Sequence, residues 1–386
     1  MSSTSYTCAT PGCKSTDSSI AHRRGYCRQC RKRMQVVPPR QRTPPLLSPE
    51  QQLDADRQML SDRAEESTLR LKYTTALKQI ESLERELRAV AAIGDYGAPL
   101  LVEPKEKSST SEATPVIVAS DWHIEELVKP EAVSGLNRYD LAIAEARVKN
   151  FFASSHRLIK LLNQDVKIHN VVLALLGDFI SNAELHGGEH SENMQLPPTE
   201  AVHTCQSWLI GGIEFLLDHT DKTLLIPCHS GNHARTTYKT REGNENGHSL
   251  EYLMYLHLAA YFRGEKRVQF NIGGGYHSYL DVYGHTLRFH HGHAIRYAGG
   301  VGGITIPVNK AIAQWDLARK ADLDVFGHYH QLNYMPKFVS NGSLIGYNAF
   351  ALSIKAAYER PQQALFLIDK KRGRTCSWPI LMKGDK

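Results

Sequence analysis

The chain has no long apolar run, no visible internal repeat and few cysteines. Because no run of 18 apolar residues occurs among its 386 residues, no segment is predicted to span a membrane. Its first five residues lack the apolar character of a signal peptide, so we expect a cytoplasmic location with reduced thiols. Hydrophobic residues make up 41% of the chain, enough for one sizeable core with small accessory parts.

Acidic residues are scarce at the N-terminus, where Asp17 is the only one before Glu50. The basic residues of this segment are Lys14, Arg23, Arg24, Arg28, Arg31, Lys32, Arg33, Arg40 and Arg42. Since the net charge of the whole chain is only +6, positive charge is concentrated here. Together with Tyr26, this charge indicates a nucleic-acid-binding segment that contacts the backbone rather than the bases. The alternative is a solvated face that binds nothing.

Four cysteines form two pairs within residues 1–35. Cys8 and Cys13 precede a thirteen-residue loop, and Cys27 and Cys30 follow it. This arrangement is typical of a tetrahedral four-cysteine zinc site, and the segment has too little apolar mass for a core of its own. Disulfides could also cross-link it, but a reducing compartment favours one structural Zn²⁺. The other cysteines, interpreted as ordinary thiols, are Cys205, Cys228 and Cys376.

A proline-rich linker is predicted at residues 36–49, followed by a helix over residues 50–93 and a second linker at 94–113. Ser48 and Pro49 suit the start of that helix. Its apolar residues alternate spacings of three and four, which is typical of a coiled coil, at Tyr73, Ala76, Ile80, Leu83, Leu87 and Val90. This seam could form a homo-oligomer, which we favour, or pack on the rest of the chain.

Five short motifs in fixed order carry metal-ligand residue types, within a predicted catalytic domain at residues 114–386. They are Asp121-Trp122-His123, Gly177-Asp178, Gly231-Asn232-His233, His291-Gly292-His293 and Gly327-His328-Tyr329-His330. Each follows a short apolar run that is typical of a buried strand. Ligands gather at the carboxyl ends of strands in α/β sheets, so the five motifs should converge. Their oxygen and imidazole donors suit two divalent ions.

In these motifs the chain resembles the calcineurin-like metallophosphoesterase superfamily, whose pattern is Asp-x-His, Gly-Asp, Gly-Asn-His, His and Gly-His-x-His. The resemblance covers about residues 114–369 and points to its nuclease-type and phage-type branch. It implies an α/β fold, a two-sheet αββα sandwich, here preceded by the zinc-finger-like module and the coiled-coil helix. If the chain is encoded by a bacteriophage, its location would be the host cytoplasm.

The resemblance also implies a role for each motif residue. The first metal would be held by Asp121, His123 and His330, with Asp178 bridging both metals, and the second by Asn232, His291 and His328. His233 resembles the family's non-ligand histidine, which contacts the phosphate and protonates the leaving oxygen. Manganese is favoured for the two ions, with iron, nickel or magnesium as alternatives.

Residues near the motifs are weaker candidates. Arg235 could bind a substrate phosphate or be a solvated loop residue. His293 is expected to orient a ligand rather than bind metal, and His290 to face the strand. The polar loop after Gly-Asp could line the cleft or be solvated, through Glu184, His186, Glu189 and His190.

The sequence therefore predicts a metal-dependent phosphodiesterase that hydrolyses the DNA backbone by attack of a metal-activated water. DNA is inferred from the basic cysteine-containing segment and the oligomerising helix. One alternative is a phosphatase or phosphodiesterase acting on protein or small nucleotides. Another is a nucleic-acid-binding scaffold with a vestigial metal site, although the complete ligand set argues against it.

Overall fold

A computed structural model describes residues 7–14, 16, 30, 48, 52–54, 57–61, 63, 67–74, 77, 97, 99–107, 111–182, 185, 193–241, 243–297, 303–353 and 355–382. Contacts divide the chain into two compact units, residues 1–78 and residues 79–386.

The first unit contains helix in most of its described part. Residues 52–54, 57–61, 63, 67–74 and 77 are helical, in agreement with the helix predicted from residue 50. Tyr73 is the only described residue of the predicted coiled-coil seam, and it is exposed. The remaining seam residues, Ala76, Ile80, Leu83, Leu87 and Val90, lie outside the described residues. Oligomerisation through this helix therefore stays a prediction.

The second unit is built on two six-stranded sheets. Its strands are β1 (Leu100–Val102), β2 (Ala113–Ala119), β3 (Asn170–Leu175), β4 (Thr223–Cys228), β5 (Val268–Ile272), β6 (Ser278–Val282), β7 (His285–Phe289), β8 (Leu323–Phe326), β9 (Asn333–Tyr334), β10 (Phe338–Ser340), β11 (Gln362–Asp369) and β12 (Gly373–Leu381). One sheet has the order β12-β11-β2-β3-β4-β5, and the other β1-β6-β7-β8-β10-β9. Strands β2 to β5 are parallel, as are β7, β8 and β10.

Helices cover the outer faces of the two sheets. They are α1 (Leu141–Leu162), α2 (Pro198–His219), α3 (Leu250–Tyr261), α4 (Thr305–Ala318) and the short α5 (Ala349–Ser353), with 3-10 turns at Pro130–Val133, Asn246–His248 and Phe262–Gly264. A 3-10 turn lies at either end of α3. None of the described helices is long and apolar enough to cross a membrane.

Alternate residues along β2 show how the layers are held together. Ile117 and Ala119 pack into a core with α1, α2 and α3, whereas Val116 and Val118 pack between the sheets. Because successive side chains of a strand point to opposite faces, an uninterrupted apolar run fills both cores. A third core lies between α4 and the second sheet. The predicted two-sheet sandwich flanked by helices is therefore confirmed.

The predicted linker between the helix and the catalytic domain contains one short strand. Residues 100–102, within the predicted linker at 94–113, form β1 and pair in parallel with β6 at the edge of the second sheet. The pairing matches Leu100 with Leu280 and Val102 with Val282. Only three residues take part, too few for a recognisable strand pattern in the sequence.

Two adjacent glycines in α2 provide a test of packing between α1 and α2. A Cβ atom on Gly212 would lie 2.1 Å from the ring of Phe152, whereas one on Gly211 meets nothing within 4 Å. We expect Gly212→Ala to lower the free energy of unfolding by about 1–3 kcal/mol through overpacking. Gly211→Ala should raise it by about 0.5–1 kcal/mol, because alanine is the better helix former. Urea unfolding of both variants measures the two free energies of unfolding. Equal changes in both variants would contradict the close contact between Gly212 and Phe152.

Candidate metal centre

The five motifs meet at the carboxyl ends of strands from both sheets. Strands β2, β3 and β4 of the first sheet and β7 and β8 of the second each lead directly into one motif. The Asp121 amide donates to the carbonyl oxygen of Gly177 at 2.9 Å, which joins the loops after β2 and β3. The Gly327 amide donates to the carbonyl oxygen of His291 at 2.9 Å, which joins those after β7 and β8. The predicted convergence is what the structure contains.

The donor atoms form three overlapping groups, in each of which all ligand atoms lie within 4.8 Å of one another. The groups are Asp121 with His123 and His330, His123 with Asp178 and His233, and Asp178 with His291 and His328. The first and third groups correspond to the two metals predicted from the sequence. Asn232, the remaining predicted ligand, has a buried Oδ1 that accepts no hydrogen bond among the described residues. Such an orphaned oxygen suits a metal ion.

Distances within the groups also fit metal coordination. His291 Nε2 lies 2.8 Å from Asp178 Oδ2, and His123 Nε2 lies 3.3 Å from His330 Nε2. Donors bound at right angles to one ion, with bonds of about 2.1 Å, are about 3 Å apart. The residues present therefore fit a pair of divalent metals.

Hydrogen bonds from Nδ1 orient three imidazole rings toward the centre. His291 Nδ1 donates to the carbonyl oxygen of Leu176 at 2.7 Å, and His233 Nδ1 donates to that of Ser181 at 3.0 Å. His123 Nδ1 lies 2.8 Å from the Ser181 hydroxyl. A carbonyl can only accept, so the first two rings carry a proton on Nδ1 and turn Nε2 toward the centre. Such outer contacts fix ligand orientation in metal sites.

Charges around Asp178 favour its ionised form. Burial alone would raise the pKa of this carboxyl, but His291 and His233 outweigh burial and hold it well below its usual range. Burial likewise acts to lower the pKa of His291, yet the Asp178 carboxylate raises it to about 10. At His123 and His328, burial lowers the pKa well below its ordinary value, so both rings are neutral. A neutral imidazole is the form that binds metal.

The backbone is left-handed at five of the seven predicted metal ligands. The φ angles are 57° at Asp121, 47° at His123, 52° at Asp178, 69° at His328 and 54° at His330. This conformation costs non-glycine residues about 1–3 kcal/mol each and clusters at functional sites. Asp, Asn and His adopt it more readily than most other residues, so the residue types that bind metal also tolerate the turn.

Motif glycines allow the loops to approach one another. A Cβ atom on Gly177 would lie 2.1 Å from the Gly231 amide nitrogen, and one on Gly231 would lie 2.0 Å from Asp178 Oδ1. A Cβ on Gly327 would lie 2.3 Å from Asp121 Oδ2. Any side chain at these positions would push a ligand or its loop away, which explains why the motifs contain glycine.

Glu251, which the sequence analysis missed, joins the loops of Asp178 and Asn232. Its carboxylate is fully buried, with Oε1 accepting from the Phe179 amide at 2.7 Å and Oε2 from the Gly231 amide at 2.8 Å. Burial, with the nearby Asp178 charge, raises its pKa to about 8. The available signal was an acidic residue within the otherwise apolar run of α3.

Two further positioning residues, Asn182 and Glu125, contact the loops that follow the Gly-Asp and Gly-Asn-His motifs. Asn182 Nδ2 donates to the carbonyl oxygens of His233 at 3.1 Å and Arg235 at 2.8 Å. The buried Glu125 accepts from the amides of Ser181 and Asn182 at 2.7 and 2.9 Å. Together they hold the loop that carries the proposed acid, His233. Asn and Glu in polar loops are too common for the sequence to reveal this role.

The weaker candidates have varied surroundings. The Arg235 guanidinium donates to carbonyl oxygens of its own loop, including Thr237 at 3.1 Å, and its contact with phosphate stays a prediction. His293 Nε2 lies 3.3 Å from Glu245 Oε1, and its ring centre lies 5.7 Å from that of His291. His290 is buried, with Nε2 3.4 Å from Asp324 Oδ1. The candidates outside the described residues are Glu184, His186, Glu189 and His190.

Three of the four N-terminal cysteines form a separate group in the first unit. The sulfur atoms of Cys8, Cys13 and Cys30 lie within 4.8 Å of one another. Cys27, the fourth predicted zinc ligand, lies outside the described residues. Three converging thiols suit zinc, which binds four such ligands in a tetrahedron.

No family model matches this chain, and no curated protein matches it in sequence. Among solved structures, Vps29 from Chaetomium thermophilum aligns at 11% identity over 71% of this chain and 100% of its own, with a TM-score of 0.28. The hypothetical protein PH1004 from Pyrococcus horikoshii aligns at 11% over 71% and 89%, with a TM-score of 0.34. The sulfate thiohydrolase SoxB from Thermus thermophilus aligns at 10% over 72% and 58%, with a TM-score of 0.30. Similarity this low supports no functional argument, so function is inferred from the site.

Glu251→Gln tests the connection between the two loops. An amide cannot accept from both backbone N–H groups, so one buried donor loses its partner, at a cost of about 1–3 kcal/mol. We expect lower stability toward urea and weaker binding of added Mn²⁺ measured by calorimetry. Glu214→Gln, an exposed glutamate change on α2, should alter neither. Unchanged metal affinity in Glu251→Gln would show that the carboxylate does not position the ligands.

Proposed function

We propose that this chain is a metal-dependent phosphodiesterase of the calcineurin-like superfamily that hydrolyses the DNA backbone. The observation that carries the proposal is the chain of three overlapping donor groups, two of which contain the buried Asp178 carboxylate. Paired divalent ions are a recurrent solution for cleaving phosphate esters. Asp121, His123 and His330 would hold one ion, and Asn232, His291 and His328 the other.

The bound ions would lower the pKa of a water molecule and stabilise negative charge on the phosphoryl group. Manganese is our first choice, and oxygen and imidazole donors also accept iron, nickel or magnesium. The protein's part is to hold the donors in place. Asp178 stays ionised through His291 and His233, and the Nδ1 hydrogen bonds keep Nε2 of His291 and of His233 facing the centre.

His233 is the proposed general acid. Its ring centre lies 4.9 Å from that of His123, and its Nε2 lies 4.0 Å from Asp178 Oδ2. Because Nδ1 donates to the Ser181 carbonyl, Nε2 is the nitrogen that carries the transferable proton. That proton would pass from Nε2 to the oxygen atom that leaves the phosphorus.

DNA as substrate is supported by the N-terminal unit. The three clustered cysteines fit one structural Zn²⁺ that would fold the basic segment. The positive charge around them, from Lys14 to Arg42, complements a phosphate backbone. The following helix would bring several copies together on one polymer. These parts would deliver DNA to the metal centre.

Cleavage of a labelled plasmid and a linear duplex with added Mn²⁺, beside an Asp178→Ala control, tests this function. Nicking or degradation that disappears in the control supports a metal-dependent nuclease. If wild-type protein that contains its metals cleaves neither DNA, the DNA proposal is wrong. Hydrolysis of phosphoproteins and of small nucleotides would then be measured.

Substitution His233→Ala separates proton transfer from metal binding. We expect metal content to be retained and turnover to fall by a factor on the order of 10²–10⁴, as for the loss of a general acid. Elemental analysis and steady-state kinetics measure the two effects. Loss of metal from this variant would instead make His233 a ligand.

Removal of residues 1–48 tests the role of the basic segment. DNA affinity and its dependence on salt should both decrease, because fewer phosphate contacts release fewer counterions. Hydrolysis of a small phosphodiester such as bis(p-nitrophenyl) phosphate should persist, since residues 79–386 form a separate unit. The dependence of the DNA-binding constant on salt concentration is measured for the truncated and the full-length protein. If the two proteins show the same salt dependence, residues 1–48 do not contribute to DNA binding.

A further inference from the structure

Two loops beside the proposed metals carry exposed basic side chains. Residues 231–241, which follow β4, and residues 291–297, which follow β7, expose Lys239, Arg241 and Arg296. Acidic residues also occur on this side, since Glu242 and Glu245 follow Arg241 and Glu245 Oε1 lies 3.3 Å from His293 Nε2. The exposed cations would attract the phosphates of a polyanion toward Asn232 and His291.

The same two loops each expose a tyrosine. Tyr238 is 78% exposed and Tyr297 is 40% exposed. Tyr238 lies six residues after Asn232, and Tyr297 lies six residues after His291. Since six extended residues span at most about 20 Å, both rings lie within a few nucleotides of a phosphate at the metals.

Both loops are anchored just before their tyrosines. The Thr236 amide donates to the carbonyl oxygen of His248 at 2.7 Å, and the Leu250 amide donates to that of Ala234 at 2.9 Å. In the other loop, the Ala294 amide donates to the Tyr276 hydroxyl at 3.1 Å, and the Tyr329 hydroxyl donates to the carbonyl oxygen of Ile295. Anchored loops can present an aromatic ring to a ligand with less loss of conformational entropy.

We propose that Tyr238 and Tyr297 are stacking platforms for unpaired DNA bases, and that Lys239, Arg241 and Arg296 contact the neighbouring phosphates. This inference rests on the proposed function and names the form of DNA that the site binds. Aromatic rings interleaved with basic residues are the usual surface for single-stranded nucleic acid. In a duplex the bases stack on each other, so the tyrosine faces contribute only where strands are separated.

Binding of a fluorescein-labelled oligothymidylate strand, and of its duplex with oligodeoxyadenylate, tests the inference by fluorescence anisotropy. The full chain carries His233→Ala so that the DNA stays intact. Tyr238→Ala and Tyr297→Ala should each raise the Kd for the single strand by about 5- to 100-fold and leave that for the duplex unchanged. Phenylalanine at either position should restore binding, because stacking needs the ring and not the hydroxyl.

Tyr261→Ala is the matched control. Tyr261 is 45% exposed but ends α3, just before β5 begins, and therefore lies near the opposite end of the strands from the metal ligands. This change should leave both Kd values unaltered. Single-strand affinities that are unchanged in Tyr238→Ala and Tyr297→Ala, or lowered equally for duplex, would overturn the inference.

Cleavage by the wild-type protein separates this inference from the proposed function. If the wild-type protein cleaves DNA and both alanine variants bind the single strand normally, the nuclease function is supported and the stacking role of the tyrosines is wrong. Tyrosine-dependent binding of the strand by a protein that cleaves no DNA supports the platforms and contradicts the nuclease.

Discussion

The buried negative charge of Asp178 is the constraint on which the architecture of the site depends. A carboxylate removed from water must be compensated, and here imidazoles and the proposed metals surround it. To bring those groups within reach, the loops must approach closely, with Gly177 against the Gly231 backbone and Gly327 against the Asp121 side chain. That contact requires glycine at Gly177, Gly231 and Gly327 and accounts for the left-handed turns at the ligands. The packed layers on either side keep this crowded arrangement in place.

Much of this arrangement could be predicted because it is local in the sequence. Each motif follows its own apolar strand, and parallel strands place their carboxyl ends at one edge. The helix Leu141–Leu162 was predictable for the same reason, since its period and its Asp140 cap are local signals. Short strands such as β1 and β9 depend on a partner strand for their definition and leave too short a pattern to recognise.

The residues that support the ligands could not be predicted, because their partners are distant along the chain. Glu251 binds amides 72 and 20 residues away, and Glu125 binds amides 56 and 57 residues away. Glu251 stands out only as an acidic residue in a largely apolar helix, and Glu125 has no characteristic neighbours in the sequence. The role of either residue depends on which loops the fold brings together, so it becomes visible only with the tertiary structure.

Ser181 contacts two histidines of the site in different ways. Its hydroxyl orients His123, but its backbone carbonyl orients His233. Every amino acid has the carbonyl, so a substitution at position 181 can alter the geometry of the proposed first metal while the backbone still fixes the direction of the proposed proton donor. Metal preference and proton delivery would then be open to separate selection, even though a single residue holds both rings.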